Sequence, residues 1–242
     1  NNVIAHIPNL NDFVKGISFL ANKYQSIVTV EFQYLKSLIE KNQFDTVYHE
    51  HYFYYSLLSI KNVLDHHNLK IIDVDKLSTH GGSLRLYLSS KNKVTKSNFD
   101  IRNFDNLLKL EKKKLGNLNY YRKFQFYTNK SRNKFLKFLE KNKHKKIFAY
   151  GAAAKGNTFL NFAKINKNFV EKIFDQSKLK IGKYLPGSHI PIINPKKIKK
   201  YKFDLLLIMP WNIKKEIIKE YRKKIPTNAK FVSISRFLNY KL

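Results

Sequence analysis

The 242-residue chain has no cysteine, one methionine and one tryptophan, and only eight glycines and six prolines. Lacking cysteine, it can build no disulfide framework, and a cytoplasmic setting is the expectation. Long apolar runs are also missing. None approaches the roughly 20 residues of a membrane span, so the chain reads as soluble and not membrane-bound. The opening Asn1-Asn2-Val3-Ile4-Ala5-His6 has neither a basic stretch nor a long apolar one, so no secretory signal is expected. Acidic residues are scarce, 17 against 47 lysines and arginines, for a formal charge of +30. Such a charge ordinarily points to nucleic acid, anionic membrane or acidic ligands. Here the lysines are spread along the chain, and runs such as Lys112 to Lys114 and Lys141 to Lys146 read as solvated faces. A smaller part of the charge remains to attract a phosphorylated substrate.

What is present is a dense polar cluster. Phe44-Asp45-Thr46-Val47-Tyr48-His49-Glu50-His51 places a phenol, two imidazoles and a carboxylate in four consecutive positions. Such groups are costly to bury without partners, so they line an accessible cleft or satisfy one another. Metal binding fits poorly, because His49 and His51 are two apart whereas the helical zinc motif needs histidines four apart. No metal site is therefore expected. Acid–base chemistry fits better, since an imidazole titrates near neutrality and a neighbouring carboxylate or phenol can orient it.

Apolar spacing predicts a helix over Asp12–Leu20, a strand over Ser26–Phe32, and helices over Tyr34–Lys41 and Leu57–His66. Strands over Leu69–Val74 and Leu84–Leu88 flank Thr79-His80-Gly81-Gly82-Ser83, whose glycines allow a tight turn. From Asn98 to about Lys143 the pattern is helical and lysine-rich. A second α/β unit opens with a strand over Lys146–Tyr150 and the turn Gly151-Ala152-Ala153-Ala154-Lys155-Gly156-Asn157-Thr158. Strands over Val170–Phe174, Phe203–Met209 and Lys230–Ile234, with a helix over Ile213–Tyr221, then predict a parallel sheet. The expected organisation is α/β in three parts: residues 1–97, a helical connector over 98–144, and a Rossmann-like domain over 145–242.

The turn at 151–156 matches neither GxGxxG nor a P-loop. Small residues at a helix start leave backbone N–H groups open to an anion, and Lys155 adds charge. Close helix-to-strand packing needs the same residues, and both readings stand. The Gly182–Pro191 loop leaves Tyr184, Ser188 and His189 available for contacts. Pro210-Trp211-Asn212 falls at a strand's carboxyl end, where open α/β sheets bind ligands.

Taken together, several segments resemble the deoxysugar C-methyltransferases, which act on nucleotide-linked sugars. They are Asn1 to Pro8, Glu40 to His51, Thr79 to Arg85, Tyr150 to Thr158, Lys183 to Pro191 and Pro210 to Asn212, in family order over nearly the whole chain. The resemblance implies a remnant of a Rossmann-like methyltransferase sheet, connecting helices, and a second Rossmann-like parallel domain. It implies methyl transfer from S-adenosylmethionine to a sugar carbon beside a 4-keto group, through an enolate. His51 is then the base, with Tyr48, Glu50 and His6 as companions. Lys155, Asn157, Gly151, His189, Tyr184, Trp211 and Asn212 would hold the nucleotide-linked 4-keto-sugar. Asn1 and Asn2 would touch the cofactor.

Relatives of this kind carry a cysteine-rich zinc domain and a glycine-rich cofactor turn ahead of these segments. The chain is accordingly expected to be a fragment, with zinc confined to the absent domain and a complementing N-terminal half as a partner. No specific nucleic acid is expected. The competing readings are a basic nucleic-acid or membrane-surface binder and a non-catalytic half of a split methyltransferase.

Overall fold

The structure, a computed structural model, describes residues 1–93 and 101–238, so the first residues of the expected connector, 98–100, lie outside the described residues. The chain divides into two compact units. The first holds Asn1–Glu40 and His49–Phe124, the second Lys41–Tyr48 and Gln125–Lys241.

In the first unit, α1 (Leu10–Lys23), β1 (Val28–Gln33), α2 (Leu35–Glu40) and α3 (Leu57–His66) precede β2 (Leu69–Leu77), β3 (Ser83–Ser90) and α4 (Ile101–Leu115). The strands form a sheet in the order β1-β3-β2. β3 pairs antiparallel with both neighbours, so β1 and β2 run the same way with helices crossing between them. Alternation explains which face is core: Leu84, Leu86 and Leu88 are wholly buried, while Arg85 and Tyr87 point to the other side. Val14, Leu57, Ile60, Leu64 and Leu107 complete this core from the helices. Ser56 caps α3 in a capping box with Ser59. The buried Glu111 of α4 adds a second cap, its carboxylate accepting the backbone N–H groups of Leu57 and Leu58, both at 2.8 Å.

The turn between β2 and β3 uses its glycines as expected. Gly81 and Gly82 sit at φ 93° and 134°, and His80 enters the left-handed region at φ 52°. The connecting helices expected from Asn98 to about Lys143 are, among the described residues, α4 and α5 (Leu118–Lys141), separated at Gly116 and Asn117.

The second unit contains β4 (Ile147–Tyr150), α6 (Ala154–Phe162), β5 (Lys172–Phe174), β6 (Ile192–Ile193), β7 (Leu205–Ile208), α7 (Lys214–Tyr221), β8 (Lys230–Ser233) and α8 (Ser235–Leu238). Its sheet is parallel throughout, in the order β6-β5-β4-β7-β8. This is a doubly wound α/β fold, whose strand order reverses between β4 and β7. The short β6, the 3₁₀ segment Pro195–Lys200 and α8 were not predicted, since each is too short to show periodicity. One face of the sheet packs Tyr150, Phe174, Leu206 and Ile208 against Ile198 and against Ile217 and Tyr221 of α7. Phe159 of α6 packs instead with Phe135 of α5, which in turn meets Phe237 of α8.

Residues 41–48 are bolted into this unit. Asn42, at φ 50°, donates to Ser131 Oγ at 2.7 Å and accepts from Thr128 Oγ1 at 3.0 Å. Phe44 stacks on Phe159 and packs at a tilt against Phe162, with ring centroids 5.6 and 5.0 Å away. Among the described residues no helix is long and apolar enough to cross a membrane.

Candidate active site

In the first unit the histidines predicted to do proton chemistry come together. A 3₁₀ turn, Ile4–His6, is held against residues 50–53 because Ala5 O accepts the N–H groups of Tyr52 (2.9 Å) and Phe53 (3.4 Å). That brings the His6 and His51 rings edge to face, centroids 4.8 Å apart, with Tyr54 5.8 Å from His51. His6 Nδ1 lies 2.8 Å from Glu50 O. A carbonyl only accepts, so Nδ1 carries the hydrogen and the neutral ring presents Nε2 as its basic nitrogen. His6, His49 and Glu50 are exposed and His51 half-buried. Glu50 thus touches the pair through its backbone, while its carboxylate stands in solvent. Tyr48, half-buried, belongs to the second unit.

Asn2, at φ 57°, gives its backbone N–H to Glu31 O at 2.8 Å. The Glu31 carboxylate also accepts from Thr79 (3.0 Å) and Arg85 (2.9 Å). Burial alone would raise its pKa, but the Arg85 and Thr79 bonds outweigh that and hold it low. Asn1 is exposed. Among the described residues no group of three or more histidines and carboxylates is placed to hold a metal ion.

In the second unit the carboxyl ends of β4 and β7 carry a different kind of cluster. Gly151, at φ 93°, has Pro210 against it so closely that a Cβ would lie 2.3 Å from Pro210 Cγ. Gly156 meets Met209 in the same way, at 2.8 Å. Close packing therefore accounts for both glycines of the turn. The Ala152 N–H is likewise taken, by Asp175 Oδ2 at 2.7 Å, and Lys180 Nζ holds Ala152 O at 2.8 Å. Asp175 stands 19 residues beyond Gly156, close to the interval at which an acidic residue follows a nucleotide-binding turn. That interval is the signal by which the sequence could have revealed it. Here both its oxygens are engaged, the other by Ser177 N at 2.8 Å.

Asp45 was not anticipated. It is wholly buried; Oδ2 accepts the Trp211 indole N–H at 2.6 Å, and Oδ1 has no hydrogen-bond partner. Burial pushes its pKa up to about 6 against the opposing pull of Trp211 and Lys155. Lys155 Nζ lies 5.0 Å from the centre of the Trp211 ring, its pKa lowered by burial and partly restored by Asp45. An acidic residue in a turn is ordinarily solvated, so only its neighbour Phe44 hinted at burial.

Asn157 Oδ1 on α6 and Ser188 Oγ in the 182–191 loop are also buried without hydrogen-bond partners. Ser188, expected to be available at the surface, is turned inward, while Tyr184, His189 and Asn212 are exposed. Ala153, at the N-cap position of α6, supplies no side-chain cap.

One unit thus carries a pair of facing histidines, and the other is a parallel doubly wound sheet with unpartnered buried polar atoms on the elements that follow its strands. The family model described as C-methyltransferase C-terminal domain matches residues 78–234, more than half of the chain, and the chain belongs to that family. It is similar to the C-methyltransferase NovU of Streptomyces niveus, with 29% identity over 232 residues. That alignment takes in 94% of this chain and 54% of NovU, so the chain spans about half the length of the curated relative it matches.

Proposed function

We propose that the chain supplies the proton-transfer and substrate-binding parts of an enzyme that C-methylates a 4-keto, nucleotide-linked deoxysugar. The observation that carries this reading is the His6–His51 pair, whose rings meet at 4.8 Å where solvent and substrate can reach them. A carbon beside a ketone becomes a nucleophile only after losing a proton. His51 takes that proton, and the charge left behind moves onto the ketone oxygen as an enolate. His6, with its hydrogen fixed on Nδ1, keeps Nε2 free to receive or relay the proton. Glu50 holds His6 through its carbonyl, and Tyr48, which belongs to the second unit, is assigned there to orienting the substrate.

The nucleotide is assigned to the second unit. The uncapped start of α6 offers backbone donors to a diphosphate, and Asn157 Oδ1 offers an acceptor that burial has stripped of water. Lys155, Tyr184, His189, Trp211 and Asn212 complete the assigned set, and Gly151 contributes by letting the turn pack on Pro210, its own N–H being held by Phe174 O.

The methyl donor of this class is S-adenosylmethionine, which supplies an electrophilic methyl group. This chain's assigned contribution to its pocket is Asn1, exposed, and Asn2, held by Glu31. Two residues do not make a pocket. Among the described residues β1 pairs with β3 alone, and Val3, Phe19, Leu20, Tyr24 and Ile27, on or flanking α1 and β1, are large apolar side chains left exposed. An open strand edge with apolar flanks invites further strands. We assign that edge to the remainder of the methyltransferase sheet, carried by a complementing N-terminal half.

Proton abstraction can be tested without the methyl donor. The chain is incubated in D₂O with a dTDP-4-keto-deoxysugar, and deuterium entry beside the ketone is followed by NMR. Exchange that falls at least about 100-fold in His51→Ala is the expected result. Exchange equal in His51→Ala and wild type would overturn the assignment of the base.

A further inference from the structure

On the α7 face of the parallel sheet, the 3₁₀ segment Pro195–Lys200 and the end of α7 leave a cavity of about 660 Å³. We infer that this cavity is a second ligand site, built for a phosphorylated small molecule. The reading is independent of the one above, for the cavity shares no lining residue with the assigned nucleotide site and lies on the face away from α6.

The local sequence explains why the space exists. After β5 the chain makes a long irregular loop to a two-residue β6, and the segment that follows is a short 3₁₀ stretch rather than an α-helix. This flank of the sheet is thinly covered. The resulting volume falls in the range of small-molecule sites, roughly 300–1,000 Å³.

Its lining is cationic around an apolar floor. Lys178, Lys196, Lys199 and Lys224 converge on it, against one carboxylate, Glu220, which lies 3.4 Å from Lys224 Nζ. Lys178, Lys196 and Lys199 make no ion pair among the described residues. Like charges brought together around one space repel, and a dianionic phosphate group relieves that while offering acceptors to each ammonium. The floor suits the rest of such a ligand. Ile198 is buried, and Tyr221 presents a hydroxyl that accepts from Tyr150 (3.2 Å) and Gln176 (3.3 Å), leaving its own hydrogen to donate.

The test titrates inorganic phosphate and then dTDP into the chain by calorimetry at moderate salt. Trp211 is the sole tryptophan and stands in the Asp45–Lys155 cluster, so its fluorescence reports that cluster alone. The variant K178A/K196A/K199A removes three exposed lysines from the cavity rim. The control K137A/K141A/K145A removes the same charge from α5 and the turn after it. Phosphate should bind saturably without altering Trp211 fluorescence, survive Lys155→Ala, and weaken about tenfold or more in the rim variant but less than about twofold in the control. Equal weakening in both triple variants would mean diffuse attraction to a basic chain and overturn the site. So would the absence of saturable phosphate binding, or binding lost in Lys155→Ala. A dTDP signal confined to Trp211 would support the assigned nucleotide site while overturning this one, so the two readings fail separately.

Discussion

In the first unit the ionisable side chains His49, Glu50 and His51 stand at or near the surface, whereas in the second the carboxylate of Asp45 is sealed from solvent and Lys155 is largely so. Each arrangement suits a different task. A group that must pass a proton to a substrate has to be reachable, while a group that fixes a loop or holds an indole in place does so better when water is excluded. The sheets differ in the same sense. Among the described residues the antiparallel three-stranded sheet leaves β1 open at its edge, while the parallel five-stranded sheet gathers its strand ends around one reversal of order.

The comparison can be broken most forcefully at the turn of the second unit. Gly151→Val forces a side chain into the left-handed region and into Pro210, and should cost about 4 kcal/mol in denaturant unfolding. A loss under about 1 kcal/mol would mean the turn is not set by packing.

Asp45 sharpens the contrast through pH. Its pKa is raised to about 6 from 3.8, so between those values the unfolded chain releases a proton that the folded chain keeps. Stability from this group is therefore fully present below about pH 4, falls as pH rises towards 6, and is flat above, a change of about 3 kcal/mol. Asp45→Asn should remove that slope while retaining an acceptor for Trp211. Unfolding free energies of both proteins from pH 4 to 7 read the difference directly, and parallel curves would contradict the buried-carboxylate reading.

Glu111 tests the first unit, where burial of charge is the exception. Glu111→Gln keeps the shape but leaves one oxygen to serve two N–H groups at the start of α3, and should cost about 2 kcal/mol by chemical denaturation. No loss would mean that Ser56 alone caps the helix.

Most of the fold was legible because its elements are long enough to show a period. Leu57–His66 was bounded to the residue by its apolar face, while the strands read over Lys146–Tyr150, Phe203–Met209 and Lys230–Ile234 lie within one or two residues of 147–150, 205–208 and 230–233. Short elements escaped for the same reason, as did the pairing direction of the first sheet, which depends on contacts far apart in sequence. Of the candidate site, residue type singled out His6 and His51, and the fold brings these two rings, 45 positions apart in sequence, into contact. The site was illegible where burial carries the chemistry. Nothing in the spacing distinguishes Asp45 from a solvated turn residue, nor assigns residues 41–48 to the second unit, because both follow from Asn42, Phe44 and Trp211 finding distant partners.

The central claim is a division of labour, with proton transfer in the first unit and substrate binding in the second. Calorimetric binding of a dTDP-4-keto-deoxysugar to His51→Ala and to Asn157→Ala tests it most directly. The account predicts that His51→Ala binds within about threefold of wild type, while Asn157→Ala, which removes a desolvated acceptor, weakens binding about tenfold or more. Binding lost in His51→Ala and untouched in Asn157→Ala would contradict it.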